Sequence, residues 1–321
     1  MDKVVIVCED HWIDSGVPGL RLLLRNKRRV GAEPTPARTV LFVHGATYAA
    51  TLTFDYSVDG QSWMDEMAGE GFDAWCIDLL GYGGSDRPPE MAEPPDAAPP
   101  LIDTAAAVGD LGRAVDFIRA RRGLRRLSLI GYSWGTAICG AYAGAAPETV
   151  ERLVLYGALW LKDVPSVIAG AGMPGAYRLV TAEAVAQRWI LDLDPEQVAA
   201  VVPPGRIEAW AEAVIASDPE GPGHEAGCLR APAGVVKDVI EHWSAGGPTY
   251  DPATIRAPTL VVMGEWDRET TPAQGAAVFE RLRNAADRRY VVIGRGTHAL
   301  LLENQRHALR RTVAGFLNEG R

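Results

Sequence analysis

One serine in this chain has the neighbours that nucleophilic chemistry needs: Gly131-Tyr132-Ser133-Trp134-Gly135. A serine hydroxyl attacks a carbonyl only when a base takes its proton and donors receive the oxyanion that forms. A buried run, 127–130, precedes this serine, and small residues follow it (Thr136, Ala137, Gly140, Ala141). That context predicts a tight strand-to-helix turn that lifts the hydroxyl out of a sheet. The competing reading, a serine that merely caps a helix, explains the hydroxyl but not the paired glycines.

The base is sought among six histidines. His298 follows a strand-like run and precedes a final helical pattern, so it occupies a loop at a strand end and is the expected general base. His307 falls inside that helix, His44 ends a strand, and His224 and His242, within 161–250, read as packing or solvent residues. An orienting carboxylate is expected just past another buried strand, in Gly264-Glu265-Trp266-Asp267. Asp267 is the choice, with Glu265 in reserve. The oxyanion donors are expected from the backbone N–H groups of Trp134, at a helix N-terminus, and of Ala46, in the loop His44-Gly45-Ala46-Thr47.

Strands and helices must bring these distant residues together. Apolar runs at 3–8 and 20–24, separated by Ser15-Gly16-Val17-Pro18-Gly19, predict an antiparallel opening pair. The run 39–43 is apolar on both faces, as central parallel strands are, and 72–79, 127–130, 153–156, 260–263 and 290–293 read as the strands that complete the set. Helical patterns at 103–122, 136–145, 273–283 and 304–317 alternate with them. This alternation predicts an α/β fold with a mostly parallel central sheet flanked by helices. Six prolines within 88–100 make that stretch an extended loop.

Residues 161–250 show helix-like pieces (182–191, 195–200, 207–217, 233–243) and no convincing strand. They are expected to form a helical cap inserted after the sixth strand, above the sheet edge where ligands bind. The organisation expected is core at 1–160, cap at 161–250 and core again at 251–321. The cap carries Trp160 at its entrance and Trp189, Trp210 and Trp243 within it. Together with Thr47 and Tyr48 these are the expected substrate-binding residues. Simple packing of the cap onto the core is the alternative for each tryptophan.

A chain of 321 residues with net charge -9 argues against polyanionic partners, both nucleic acid and anionic membrane. No apolar run reaches the roughly 18 residues that span a bilayer, and the first ten residues have no secretory pattern. Four scattered cysteines form no C-x-x-C pair, so a reduced, cytoplasmic setting is expected, with no metal site. The cap region holds 12 acidic against 6 basic residues, so most of the net charge lies there.

Taken together, these segments resemble the α/β-hydrolase family. The likeness runs through His44-Gly45, the Asp78-Leu-Leu-Gly81-Tyr-Gly83-Gly84-Ser85-Asp86 loop, the Ser133 turn, Gly264-Glu-Trp-Asp267 and Gly296-Thr297-His298. The order Ser133, Asp267, His298 is the one this fold uses. The resemblance implies a Ser-Asp-His catalytic triad, oxyanion donors at Ala46 and Trp134, and no cofactor. Serine at the nucleophile position disfavours the dehalogenase and epoxide hydrolase branches, which attack with a carboxylate. Ser133-Trp134-Gly135 resembles the proline iminopeptidase turn, but that group's H-G-G-P-G loop is replaced by His44-Gly-Ala-Thr-Tyr48.

The expected function is therefore a carboxylesterase-like serine hydrolase acting on a small to medium apolar or aromatic compound. Carbon–carbon, lactone, thioester and amide cleavage use the same residues and stay open. So does a ligand-binding relative with subdued catalysis. A small-molecule substrate is the expected partner, and a homo-oligomer is compatible with exposed apolar cap surface.

Overall fold

A computed structural model describes residues 5–162, 164–170, 172–218 and 227–319. The first two residues of the 3–8 run and His224 lie outside the described residues. Among the described residues, ten strands and ten α-helices follow in order: β1 (Ile6–Asp14), β2 (Arg21–Arg29), β3 (Thr39–Val43), α1 (Ala50–Thr53), α2 (Trp63–Gly69), β4 (Asp73–Asp78), α3 (Thr104–Arg122), β5 (Leu127–Tyr132), α4 (Trp134–Ala145), β6 (Val150–Tyr156), β7 (Tyr177–Thr181), α5 (Ala182–Trp189), α6 (Pro195–Val201), α7 (Arg206–Ala216), β8 (Cys228–Pro232), α8 (Gly234–Glu241), β9 (Thr259–Gly264), α9 (Pro272–Arg281), β10 (Arg288–Ile293) and α10 (Arg306–Asn318).

Eight of the strands make one sheet in the order β1-β2-β4-β3-β5-β6-β9-β10. The β1–β2 and β2–β4 pairings are antiparallel, and those from β4 to β10 are parallel. Every residue of β3, β4, β5 and β9 is buried, which is why these strands read as mostly apolar runs. Side chains alternate between two cores. Leu41, Val43, Leu129 and Val261 face α3, α4 and α9 on one side. Val40, Phe42, Ile130 and Val262 face α2 and α10 on the other.

Strand order reverses at β3 and β5, where loops diverge and leave a crevice. Register then fixes what borders the crevice. Val43 pairs with Gly131, Tyr132 with Tyr156, Tyr156 with Val262, and Gly264 with Ile293. The loops after β3, β5, β9 and β10 therefore emerge side by side at one sheet edge. They carry Ala46, Ser133, Asp267 and His298.

The segment between β6 and β9 corrects one expectation. It contains the antiparallel pair β7–β8, with Tyr177 opposite Pro232 and Thr181 opposite Cys228. These strands have five residues each and no turn joins them directly, so no hairpin signal marks them in the sequence. The helices α5 to α8 follow the expected pieces closely. Val185, Trp189, Trp210 and Val214 merge with the second core, and Val235, Val239 and Trp243 with the first. The proline-rich stretch forms two short 3-10 turns and no α-helix. Among the described residues, no helix is long and apolar enough to cross a membrane.

Candidate active site

Ser133 sits between β5 and α4 at φ 55° and ψ -121°. This is strained for a residue with a Cβ, and the packing around the turn imposes it. A Cβ on Gly131 would collide with the Gly135 backbone, and one on Gly135 with the carbonyls of Val43 and His44. Both glycines are thus required for β5, α4 and β3 to approach this closely. Ser133 is nearly buried, at 6% exposure, so its hydroxyl meets only what enters the crevice.

His298 Nε2 lies 2.9 Å from Ser133 Oγ, and His298 Nδ1 lies 2.8 Å from Asp267 Oδ2. Both contacts are short enough for good hydrogen bonds. Asp267 is oriented in turn by the Glu269 and Thr270 N–H groups, each 2.9 Å from Oδ1, and by the Thr270 hydroxyl. The His298 carbonyl accepts from Tyr132 at 3.1 Å and from Tyr156 at 2.7 Å, which pins the loop. Burial alone would lower the His298 pKa; Asp267 and Glu269 outweigh it and hold the value above 6.5. Glu265, the reserve carboxylate, accepts from the Arg295 N–H at the surface instead.

The loop after β3 passes directly over the serine. A Cβ on Gly45 would stand 3.0 Å from Ser133 Cβ. His44 shapes this loop: its Nε2 accepts the Leu79 N–H at 3.1 Å, which leaves Nδ1 to donate to the Gly45 carbonyl at 2.7 Å. Complete burial lowers the His44 pKa to about 4, keeping the ring neutral in that tautomer. Ala46, Ser133 and Trp134 line one small cavity together. Trp134 opens α4, so its N–H lacks a partner within the helix and carries the positive end of the dipole.

Two narrow cavities adjoin at this point. The first is lined by His298 with Tyr48, Val185, Trp189 and Trp210. The second is lined by Ser133 with Leu159, Val235, Val239 and Trp243. Arg188 and Glu269 border both. Tyr48, Trp189, Trp210 and Trp243 thus line these cavities. Trp160 does not: its indole N–H donates to the Tyr250 carbonyl at 3.0 Å and the Arg281 guanidinium covers its ring at 4.7 Å. It borders a separate surface hollow with Ala273 and Ala277. Thr47 lines neither cavity, because its hydroxyl is held by Arg188 at 2.8 Å and by Arg178 at 3.2 Å.

Sequence reasoning missed the pair formed by Arg188 of α5 and Glu269. Arg188 Nε and Nη2 reach the two carboxylate oxygens at 2.7 and 2.6 Å. Burial alone would raise the Glu269 pKa, but Arg188 and His298 hold it down at about 2. Glu269 stands two residues past Asp267, and that closeness is the one signal that marked it. Among the described residues, no group of three or more His, Cys, Asp or Glu is arranged to hold a metal ion.

A family model described as alpha/beta hydrolase fold matches residues 38–305. No curated protein matches the sequence. Among solved structures, a thermophilic esterase from Thermogutta terrifontis superposes with TM-score 0.59 at 18% identity, over 97% of this chain and 98% of that one. The esterase RhEst1 from Rhodococcus sp. ECU1013 gives 0.60 at 19%, over 97% and 98%. A meta-cleavage product hydrolase from Pseudomonas fluorescens IP01 gives 0.61 at 16%, over 94% and 96%. At these identities the likeness concerns the fold alone. The chain belongs to the alpha/beta hydrolase fold family.

Proposed function

We propose that this member of the alpha/beta hydrolase fold family is a serine hydrolase that cleaves an ester of a small to medium apolar or aromatic compound. The observation that carries this reading is the continuous relay from Ser133 Oγ through His298 to buried Asp267, set where two cavities meet.

His298 takes the Ser133 proton through Nε2 as Oγ attacks the ester carbonyl, and Asp267 stabilises the imidazolium from the Nδ1 side. The N–H groups of Ala46 and Trp134 receive the oxyanion. His298 then protonates the departing alcohol, leaving an acyl group on Ser133 that water removes. The leaving group departs on the His298 side, toward Tyr48, Trp189 and Trp210, while the acyl group stays beside Ser133, Val235, Val239 and Trp243. Both sides are mainly apolar, which supports an uncharged ester as substrate.

Parallel assays with p-nitrophenyl esters and β-diketones test the bond type. Ester turnover that disappears in Ser133→Ala supports the reading. Turnover of the diketone alone would move the assignment to carbon–carbon hydrolysis on the same residues.

A further inference from the structure

The relay uses one carboxylate, yet a second stands beside the same imidazole. Glu269 Oε2 lies 3.8 Å from His298 Nε2, on the side of the ring that exchanges protons with Ser133 and opposite Asp267. The gap is too wide for a direct hydrogen bond. Neither atom suits the other at rest either, since Nε2 accepts from the serine hydroxyl and a carboxylate only accepts.

Once Ser133 carries an acyl group, its hydroxyl proton is gone and Nε2 becomes an open acceptor. Two acceptors 3.8 Å apart, on residues that line one cavity, then face each other. A molecule with two hydrogens fits that pair, and water is the smallest. Arg188 occupies one side of each Glu269 oxygen. A carboxylate oxygen accepts more than one hydrogen bond, so capacity remains toward Nε2. The Glu269 N–H donates to Asp267 at 2.9 Å and its carbonyl accepts from Lys162 Nζ at 2.5 Å, so the backbone that carries it is anchored at both ends.

We propose that Glu269 holds the water that hydrolyses the acyl-enzyme; the proposal rests on the serine hydrolase reading. The water oxygen bonds to the acyl carbon while one of its protons passes to His298 Nε2. Its second hydrogen points at Glu269 and remains on the carboxylic acid product. The bond from the acyl carbon to Ser133 Oγ breaks, and His298 returns its proton to Oγ. Glu269 stays ionised throughout, because Arg188 keeps it a poor base, so it orients the water without competing with His298 for the proton.

Methanol separates this role from a structural one, because it has a single exchangeable hydrogen and gives that to His298. The enzyme is acylated with p-nitrophenyl butyrate in the presence of methanol, and butyrate and methyl butyrate are counted. In Glu269→Gln, hydrolysis should slow more than methanolysis, raising the ester-to-acid ratio about ten-fold, as expected for one charge-assisted hydrogen bond; any weakening of His298 acts on both nucleophiles and cancels in the ratio. Should that variant not fold, Glu269→Asp, which keeps the charge opposite Arg188, carries the test with an expected rise of at least two-fold. An unchanged ratio, with both nucleophiles slowed together, would mean that Glu269 only partners Arg188 and overturns the proposal. A wild-type ester-to-acid ratio that varies with the leaving group of the butyrate ester would instead show that no common acyl-enzyme forms, overturning the acyl-enzyme reading and this proposal with it.

Discussion

Asp267 Oδ2 lies 2.8 Å from His298 Nδ1, and the carboxylate is buried and held by three further donors from the chain just after it. An acid fixed this firmly sets the ring's tautomer, and Nε2 is left to face Ser133. Asp267→Asn would let the amide favour the wrong tautomer. Turnover should fall by about 10³–10⁴-fold with the fold retained. Activity within ten-fold of wild type, measured on protein with a native circular dichroism spectrum, would contradict the relay.

The pH dependence follows from the same ring. Imidazolium cannot take the serine proton, so kcat/KM must rise with pH as His298 loses its proton. Because Asp267 and Glu269 hold the His298 pKa above 6.5 against the opposing effect of burial, the half-rise should lie above pH 6.5. Glu269→Gln removes one of those charges and should move the half-rise to lower pH. A wild-type midpoint at or below 6.5 that the variant leaves in place would argue against both carboxylates acting on the ring.

Glu303 gives a stability prediction. It is buried, accepts from the Trp189 indole at 3.0 Å and the Thr297 N–H at 3.0 Å, and is also bonded by the Thr297 hydroxyl. Burial outweighs these donors and raises its pKa from 4.5 to about 7. The folded state therefore holds this proton more tightly than the unfolded chain. Its contribution is fully present below pH 4.5 and is lost as pH rises through 7, about 3 kcal/mol in all by linkage. Glu303→Gln should flatten the stability curve over that window: wild type loses stability from pH 5 to 8 more steeply than the variant. Parallel curves in urea melts at several pH values would refute the assignment.

The tryptophans should divide by what they face. Trp210 stands in edge contact with Tyr48 at 4.5 Å and with Trp189 at 5.2 Å, forming the wall of the cavity beside His298. Trp210→Phe should change the preference among ester alcohol groups several-fold, favouring bulkier ones. Trp160→Phe, outside both cavities, should leave that preference within two-fold. Equal effects from the two variants in a panel of esters would contradict the placement.

The relay was legible in sequence because Ser133, Asp267 and His298 each follow an apolar run that forms a parallel strand. In a parallel sheet such strands end at the same edge. The glycines flanking Ser133 marked the tight turn, although only the Gly131 clash lies within it; Gly135 is crowded by the carbonyls of Val43 and His44. What escaped depends on contacts between distant segments. The β7 and β8 strands pair across the whole of α5 to α7, so neither has a partner close in sequence. Arg188 meets Glu269 across 81 positions, and nothing about an arginine on a helix announces that. Trp160 was misplaced because an aromatic residue type signals burial without saying which surface it is buried against.

The central claim is that Ser133 is an activated nucleophile, and a fluorophosphonate label read by intact mass and peptide mapping tests it most directly. The account predicts one stoichiometric adduct, on Ser133, lost in Ser133→Ala and strongly slowed in His298→Ala. Native protein that stays unlabelled, or is labelled at another residue, would contradict it.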